Sequence, residues 1–313
     1  MNYIGSKKYL LDFIGNTIEK EVNSLEDKVM CDLFAGTGVV GEYFKNKVKK
    51  VISNDIEPYA YTIIYNKIKN STKFSLKKIE FSPKKGFIYE HYAVKRNYFT
   101  KENAQIIDGI REWIEKTELS EDEYHFYLAS LIFSADRVAN TTGVYGYFLK
   151  NTKFMAKTKL KILPHEFISS NNEHEVYNKD ANELIKYIKG DILYLDPPYN
   201  HRQYGLNYHI LNTIVKNKEF NPRGKSGFDN YLRSDYCKKT KVEKVFENLI
   251  EKAKFKYIFL SYSSDGILDK ETIKIIMSKY GEYKKIQCMH PRLRVNKKSK
   301  NGQVVEYLHI LIK

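Results

Sequence analysis

The run LYLDPPYN, residues 193–200, sets a carboxylate, two prolines and a tyrosine directly after a strand-like apolar stretch, ILYL. Two consecutive prolines cannot continue a strand ladder, because neither offers a backbone N–H. The chain must leave the sheet edge there in a rigid turn. Such rigidity suits chemistry on an aromatic amine, a poor nucleophile whose lone pair is delocalised into its ring. The carboxylate of Asp196 and the backbone carbonyl of Pro197 could each accept one N–H of that amine. Together they would draw the nitrogen toward a tetrahedral shape and aim its lone pair at an electrophilic methyl group, by orientation and electrostatics alone. Pro198 completes the turn, and Tyr199 offers a ring on which the aromatic could stack. A DPP turn can also be purely structural, but its place at a strand end, downstream of two further motifs, favours the chemical reading.

The first of those motifs is DLFAGTG, Asp32–Gly38. Glycines between a strand and a helix let the backbone approach a ligand closely at the carboxyl edge of a sheet. The pattern lacks the third glycine of the dinucleotide fingerprint, and no GK[ST] follows to make a phosphate-binding loop. A short glycine turn occurs in many α/β proteins, so the second motif matters. In SNDIEP, Asp55 ends the next strand-like run, 17 to 19 residues after Gly38 and Gly36. A carboxylate there can accept both hydroxyl protons of a ribose. Glycine turn and acid together read as an adenosine-cofactor site, whereas an isolated Asp at a strand end is ordinarily a cap or turn residue.

These groups need a sheet to hold them. KVMCDLF reads as a buried strand, AGTG as a tight turn, VVGEYFKNK as a helix and KKVISNDI as a second strand, closing a βαβ unit. A second α/β stretch begins near residue 176 and carries the DPPY loop. It continues through the helix-like KVEKVFENLIEKAK, the strand FKYIFLSYS, the helix DKETIKIIMSKYG and two closing strands, KKIQCMHPRLRV and QVVEYLHILIK, around a polar turn. Residues 62–175 have another texture, rich in Lys, Tyr and Asn, with helix-like runs KENAQIIDGIREWIEK and EDEYHFYLASLIFSADRVAN. The predicted architecture is α/β: one Rossmann-like sheet built from residues 1–61 and 176–313, carrying a mainly helical insertion at 62–175.

Composition narrows the partners. Of 313 residues, 53 are Lys or Arg and 38 are Asp or Glu, a formal charge of +15. That excess favours a polyanion, since each neutralised phosphate releases condensed counterions, although a lysine-biased proteome produces the same sign. No apolar run approaches the roughly 18 residues that span a bilayer. MNYIGSKKYLLDFIG lacks the order of a signal peptide, so a cytoplasmic protein without membrane contact is expected. Three scattered cysteines show no CxxC pair and suggest neither a disulfide framework nor a metal site.

The ordered set NYIGSK (2–7), DLFAGTGVVG (32–41), SNDIEP (53–58), NKDANEL (178–184) and LYLDPPYN (193–200) resembles the Dam-like group of N6-adenine DNA methyltransferases. The resemblance implies S-adenosyl-L-methionine as cofactor and an adenine rotated out of double-stranded DNA as substrate. It implies that Tyr3 and Lys7 contact the cofactor or target, and that Phe34, Gly36 and Gly38 line the cofactor pocket. Asp55, with Ile56 beside it, would hold the ribose, and Asp180 the cofactor's adenine amino group. Asp196, Pro197, Pro198 and Tyr199 would form the catalytic loop. The motif order is that of the alpha arrangement, with target recognition lying between the two α/β parts. RQYGLNYHILNTI (202–214), ADRVANTTGVYGYFLK (135–150) and FLSYSSDG (259–266) further resemble modification enzymes of restriction systems, which implies a possible cognate restriction endonuclease.

Alternatives follow from the same residues. Cytosine C5 methylation needs a cysteine nucleophile, normally beside a proline, and none of Cys31, Cys237 or Cys288 follows one. Cytosine N4 methylation more often has Ser where Asp196 stands, and RNA or protein amine methyltransferases tend to have Asn there. A catalytically silent DNA-binding module would need neither the loop nor the glycine turn. Arg137, Asn140, Arg202 and Tyr204 are expected DNA contacts, while His209 suits a structural hydrogen bond at least as well as a functional one. NPRGKSGFDNYLRSDYCKK (221–239) reads as a mobile DNA-facing loop, and RLRVNKKSKNG (292–302) as a basic hairpin tip for phosphates, or simply for solubility.

Overall fold

The computed structural model describes residues 3–71, 74–291 and 303–313. The basic tip 292–302 lies outside the described residues. The chain divides into two compact units. One comprises Ser6–Ile56, Ser170–Gln203 and Arg233–Lys313. The other comprises the chain through Gly5, Glu57–Ser169 and Tyr204–Leu232.

The first unit is an α/β sheet of seven strands: β1 Val29–Asp32, β2 Lys50–Asn54, β3 Glu175–Tyr177, β4 Lys189–Leu195, β5 Lys254–Ser263, β6 Glu282–Pro291 and β7 Gln303–Ile312. Their order is β3-β2-β1-β4-β5-β7-β6. The strands from β3 to β5 run parallel, and β7 pairs antiparallel with both β5 and β6. Central strands are buried along most of their length, as in VMCD and ILYL. One face packs Ile185, Phe246, Leu249, Ile250, Ile273 and Met277 against Cys31, Leu193, Ile258 and Leu260. Each such fully buried aliphatic side chain stabilises the unit by about 1.5–3 kcal/mol.

The second unit is mainly helical, with only an isolated bridge, Arg223 to Phe228, for β structure among its described residues. Its two long helices, Lys101–Lys116 and Glu121–Val138, have strong start signals. Thr100 caps the first through the Asn103 N–H, and Ser120 with Glu123 forms a reciprocal capping box on the second. Ile107, Ile110 and Ile114 recur at helical spacing and bury their face in a core with Tyr59, Tyr98, Phe126 and Leu131.

Contacts thus group residues 204–232 with the helical segment, a grouping that the local sequence pattern did not suggest. Buried polar groups explain it. The Asn212 amide donates to Glu57 Oε2 (2.6 Å) and its Oδ1 accepts the Tyr59 N–H (3.0 Å). Arg111, 4% exposed, donates to the carbonyls of Ile214 (2.8 Å) and Val215 (3.1 Å) at the end of helix His209–Lys216. The basic loop after it is held at its turn: Arg96 donates to the carbonyls of Lys225 and Gly224, and Tyr92 Oη to that of Gly227.

Candidate active site

β1 and β4 are adjacent and parallel, with Asp32 opposite Tyr194. From β1 the chain goes on to β2 on one side, while β4 and β5 extend on the other, so the strand order reverses at this pair. Ligands of open α/β sheets bind in the crevice beyond the carboxyl ends of the strands at such a reversal. The glycine turn follows β1 there and the DPPY loop follows β4. Sequence motifs 160 residues apart are neighbours because two strands pair.

Asp196 stands directly after β4, its side chain 18% exposed. Lys7 lies 3.1 Å away through Nζ and is itself buried. The same ammonium is 2.6 Å from Glu306 Oε1 on β7, and Ser261 Oγ on β5 donates to that oxygen at 2.6 Å. Burial pushes Asp196 up to about 7, against the pull of Lys7 and with a further push from Glu306. Burial also disfavours the Lys7 ammonium, yet the two carboxylates outweigh it and hold its pKa well above the ordinary lysine range. Tyr199 sets its ring 5.7 Å from Lys7 Nζ and edge-on to Tyr262, and its carbonyl accepts the Ile267 N–H (2.8 Å). The loop is therefore fixed by two prolines, a backbone hydrogen bond and an ion pair, with an acceptor carboxylate reaching solvent.

On the β1 side, Gly36 and Gly38 have φ of +54° and +70°, where a Cβ would be strained. The Gly36 N–H donates to Asp55 Oδ2 at 2.8 Å, so the acid at the end of β2 faces the turn, with Ile56 partly buried beside it. Phe34 is partly buried and edge-on to Tyr236 (5.2 Å), whose hydroxyl donates to Asn182. Asp180 is exposed and caps the short helix Ala181–Leu184, accepting the N–H groups of Asn182 and Glu183 through Oδ1. Arg202 is exposed, its N–H donating to Asn200 Oδ1.

The helical unit holds the remaining expected residues. Tyr3 stacks on Tyr208 (5.1 Å, 23°) and lies 5.7 Å from the Tyr204 ring. Arg137 is exposed near the end of its helix. Asn140, expected as a DNA contact, lies inside the unit. It is fully buried; its amide donates to the carbonyls of Asn97 and Leu149 (both 2.9 Å), and its Oδ1 accepts the Lys153 N–H (3.0 Å). Both its N–H donors and one oxygen lone pair fasten the 140–153 loop. His209 is buried, 2.9 Å from the Tyr145 carbonyl, and lowered to about 4 by burial, hence neutral.

Several residues that shape the site have no role assigned by the sequence reading. Asn54, 1% exposed, donates to the carbonyls of Leu33 and Lys179 and accepts the Lys179 N–H, tying together the chain beyond β1 and β3. Asp32, also 1% exposed, accepts the Gly41 N–H and is pushed up to about 8, chiefly by burial, with Asp196 and Asp55 adding repulsion. A polar residue ending an apolar strand was the available signal for both. Ser261 and Glu306 offered no comparable signal.

The DPPY loop and a glycine turn facing a carboxylate thus lie side by side at the switch point of an α/β sheet. The sequence matches the D12 class N6 adenine-specific DNA methyltransferase family over residues 3–276. It is 46% identical over 332 residues to the type II methyltransferase M.NlaIII of Neisseria lactamica, covering 100% of this chain and 99% of that protein. It is 38% identical over 321 residues to M.CviAII of Paramecium bursaria Chlorella virus 1, covering 98% and 97%. It is also 38% identical to M.FokI of Planomicrobium okeanokoites, over the whole of this chain but 53% of that protein. The chain belongs to the D12 class, and it is an adenine-specific DNA methyltransferase of the type II restriction–modification kind.

Proposed function

We propose that the enzyme transfers a methyl group from S-adenosyl-L-methionine to the exocyclic N6 amine of an adenine rotated out of duplex DNA. The observation that carries this reading is the Asp196 carboxylate, held by Lys7 at the end of β4 beside the glycine turn of β1. Asp196 and the Pro197 carbonyl would accept the two amine N–H groups. A charge-assisted hydrogen bond of this kind contributes about 1.5–3 kcal/mol. Tyr199, braced against Tyr262, would stack on the base.

The residues present fit the cofactor. Gly36 and Gly38 hold the turn at positive φ, Asp55 supplies the carboxylate a ribose diol needs, and Phe34 with Tyr236 forms an aromatic wall. Asp180 and Ile56 lie on the same strand-end edge and would complete the adenosine site. Asp55 and Asp196 both push Asp32 toward its neutral form, a negative potential at that edge that favours a cation. When bound, S-adenosyl-L-methionine supplies an electrophilic methyl group on a positively charged sulfonium. Lys7 would hold Asp196 at its aim, and the prolines would keep the Pro197 carbonyl from turning away.

DNA would be gathered by the net charge of +15 and touched by the exposed Arg137 and Arg202, with Tyr3 and Tyr204 offering aromatic faces. The type II relatives make a cognate endonuclease a natural companion. No helix among the described residues is long and apolar enough to cross a membrane.

Incubating unmethylated plasmid with the protein and methyl-labelled S-adenosyl-L-methionine, then weighing the digested nucleosides, tests the proposal. Labelled N6-methyldeoxyadenosine is expected. Labelled methylcytosine, or label in RNA alone, would overturn it.

A further inference from the structure

Lys7 faces two carboxylates, and the chemistry above uses only one of them. Its Nζ is 2.6 Å from Glu306 and 3.1 Å from Asp196, so the ammonium sits on the residue without an assigned role. Glu306 is 3% exposed and Ser261 fully buried. β5 and β7 pair Ser263 with Glu306 and Ser261 with Leu308, which sets Ser261 and Glu306 diagonally on one face. That register lets Ser261 Oγ hold the Glu306 oxygen that holds Lys7. A lysine paired with Asp196 alone would settle on it and occupy an acceptor that the amine needs. We propose that Glu306 is a positioning residue for methyl transfer, keeping the Lys7 ammonium shared between two carboxylates so that Asp196 retains both its aim and an open acceptor oxygen. The inference rests on Asp196 being the amine's acceptor.

The charged and titratable groups facing Asp196 are Lys7 from the N-terminal turn, Glu306 from β7, Tyr194 from β4, Tyr199 of the loop itself and Asp32 at the end of β1. Burial pushes both tyrosines upward, so they stay neutral near pH 7. Glu306 raises the Asp196 pKa and Lys7 lowers it. Removing each charge must therefore move the acid limb of the rate profile in opposite directions.

The test is single-turnover methyl transfer to plasmid DNA between pH 5.5 and 9, using the full chain and labelled S-adenosyl-L-methionine. For Glu306→Gln the expected result is an acid limb lower by about one pH unit, with a slower plateau and KM values for DNA and cofactor within about threefold of wild type. Lys7→Gln is expected to move the limb upward. Glu306→Asp keeps the charge while drawing it back, and should slow the plateau with the limb unmoved; it serves if Glu306→Gln fails to fold. An unmoved limb in Glu306→Gln, or a rate loss explained wholly by less folded protein in a melt, overturns the inference. Full activity in Asp196→Asn would instead overturn the underlying reading of Asp196, so the two failures are distinguishable.

Discussion

Replacing Asp196 by Asn changes one oxygen to nitrogen at the end of β4, and the structure indicates what that does. The wild-type carboxylate offers one oxygen to Lys7 at 3.1 Å and, on the proposed mechanism, would keep another for the amine. In Asp196→Asn the lone carbonyl oxygen would turn to Lys7, because an NH2 group facing an ammonium is repulsive. The amide NH2 would then face the substrate amine, donor against donor. The lost charge-assisted hydrogen bond is worth about 1.5–3 kcal/mol, and an unpaired donor in a part-buried site about 1–3 kcal/mol more. Together they amount to about 3–6 kcal/mol, a rate loss of about 10²–10⁴. Binding is expected to survive, since the DNA-facing charge is untouched. The assay is single-turnover transfer of labelled methyl, with DNA affinity followed by fluorescence anisotropy. A rate within tenfold of wild type, at intact binding and melting temperature, would refute the acceptor role.

Three further expectations concern the frame around that residue. Asp32, pushed up to about 8, keeps its proton in the folded chain while the unfolded chain releases it above about pH 4, so this group makes stability fall between those values. Asp32→Asn should remove that dependence, at up to about 1.4 kcal/mol per pH unit, leaving the variant's melting advantage larger at pH 8 than at pH 5; equal advantages would contradict it. Asp55→Asn removes the charge facing the Gly36 turn and should weaken S-adenosyl-L-methionine binding by about 10–100-fold in calorimetry, with little change in melting; unchanged affinity would remove Asp55 from the ribose site. Asn140→Ala leaves the Asn97 and Leu149 carbonyls and the Lys153 N–H without their side-chain partner and should destabilise the fold by about 2–4 kcal/mol. A stable variant with specifically weakened DNA binding would restore the contact role.

The sequence by itself determined what is local. Two prolines after an apolar run must turn out of a sheet, glycines between a strand and a helix permit close approach, and an acid at the next strand end can face that turn. Those constraints act over a few residues, so DLFAGTG, SNDIEP and LYLDPPYN were legible, as were the capped helices at 101–116 and 121–138. Tertiary structure alone decided which distant residues meet. Lys7 and Glu306 are 299 positions apart and touch because β7 inserts antiparallel beside β5, an ordering that no period-2 pattern encodes. Residues 204–232 join the helical unit through Arg111, Asn212 and Glu57, buried polar partners whose pairing depends on geometry rather than residue type. Asn140 shows the same limit from the other side. A polar residue between helix and loop is as suited to a base edge as to a backbone carbonyl, and only the fold reveals that Asn140 is buried and bonded to backbone.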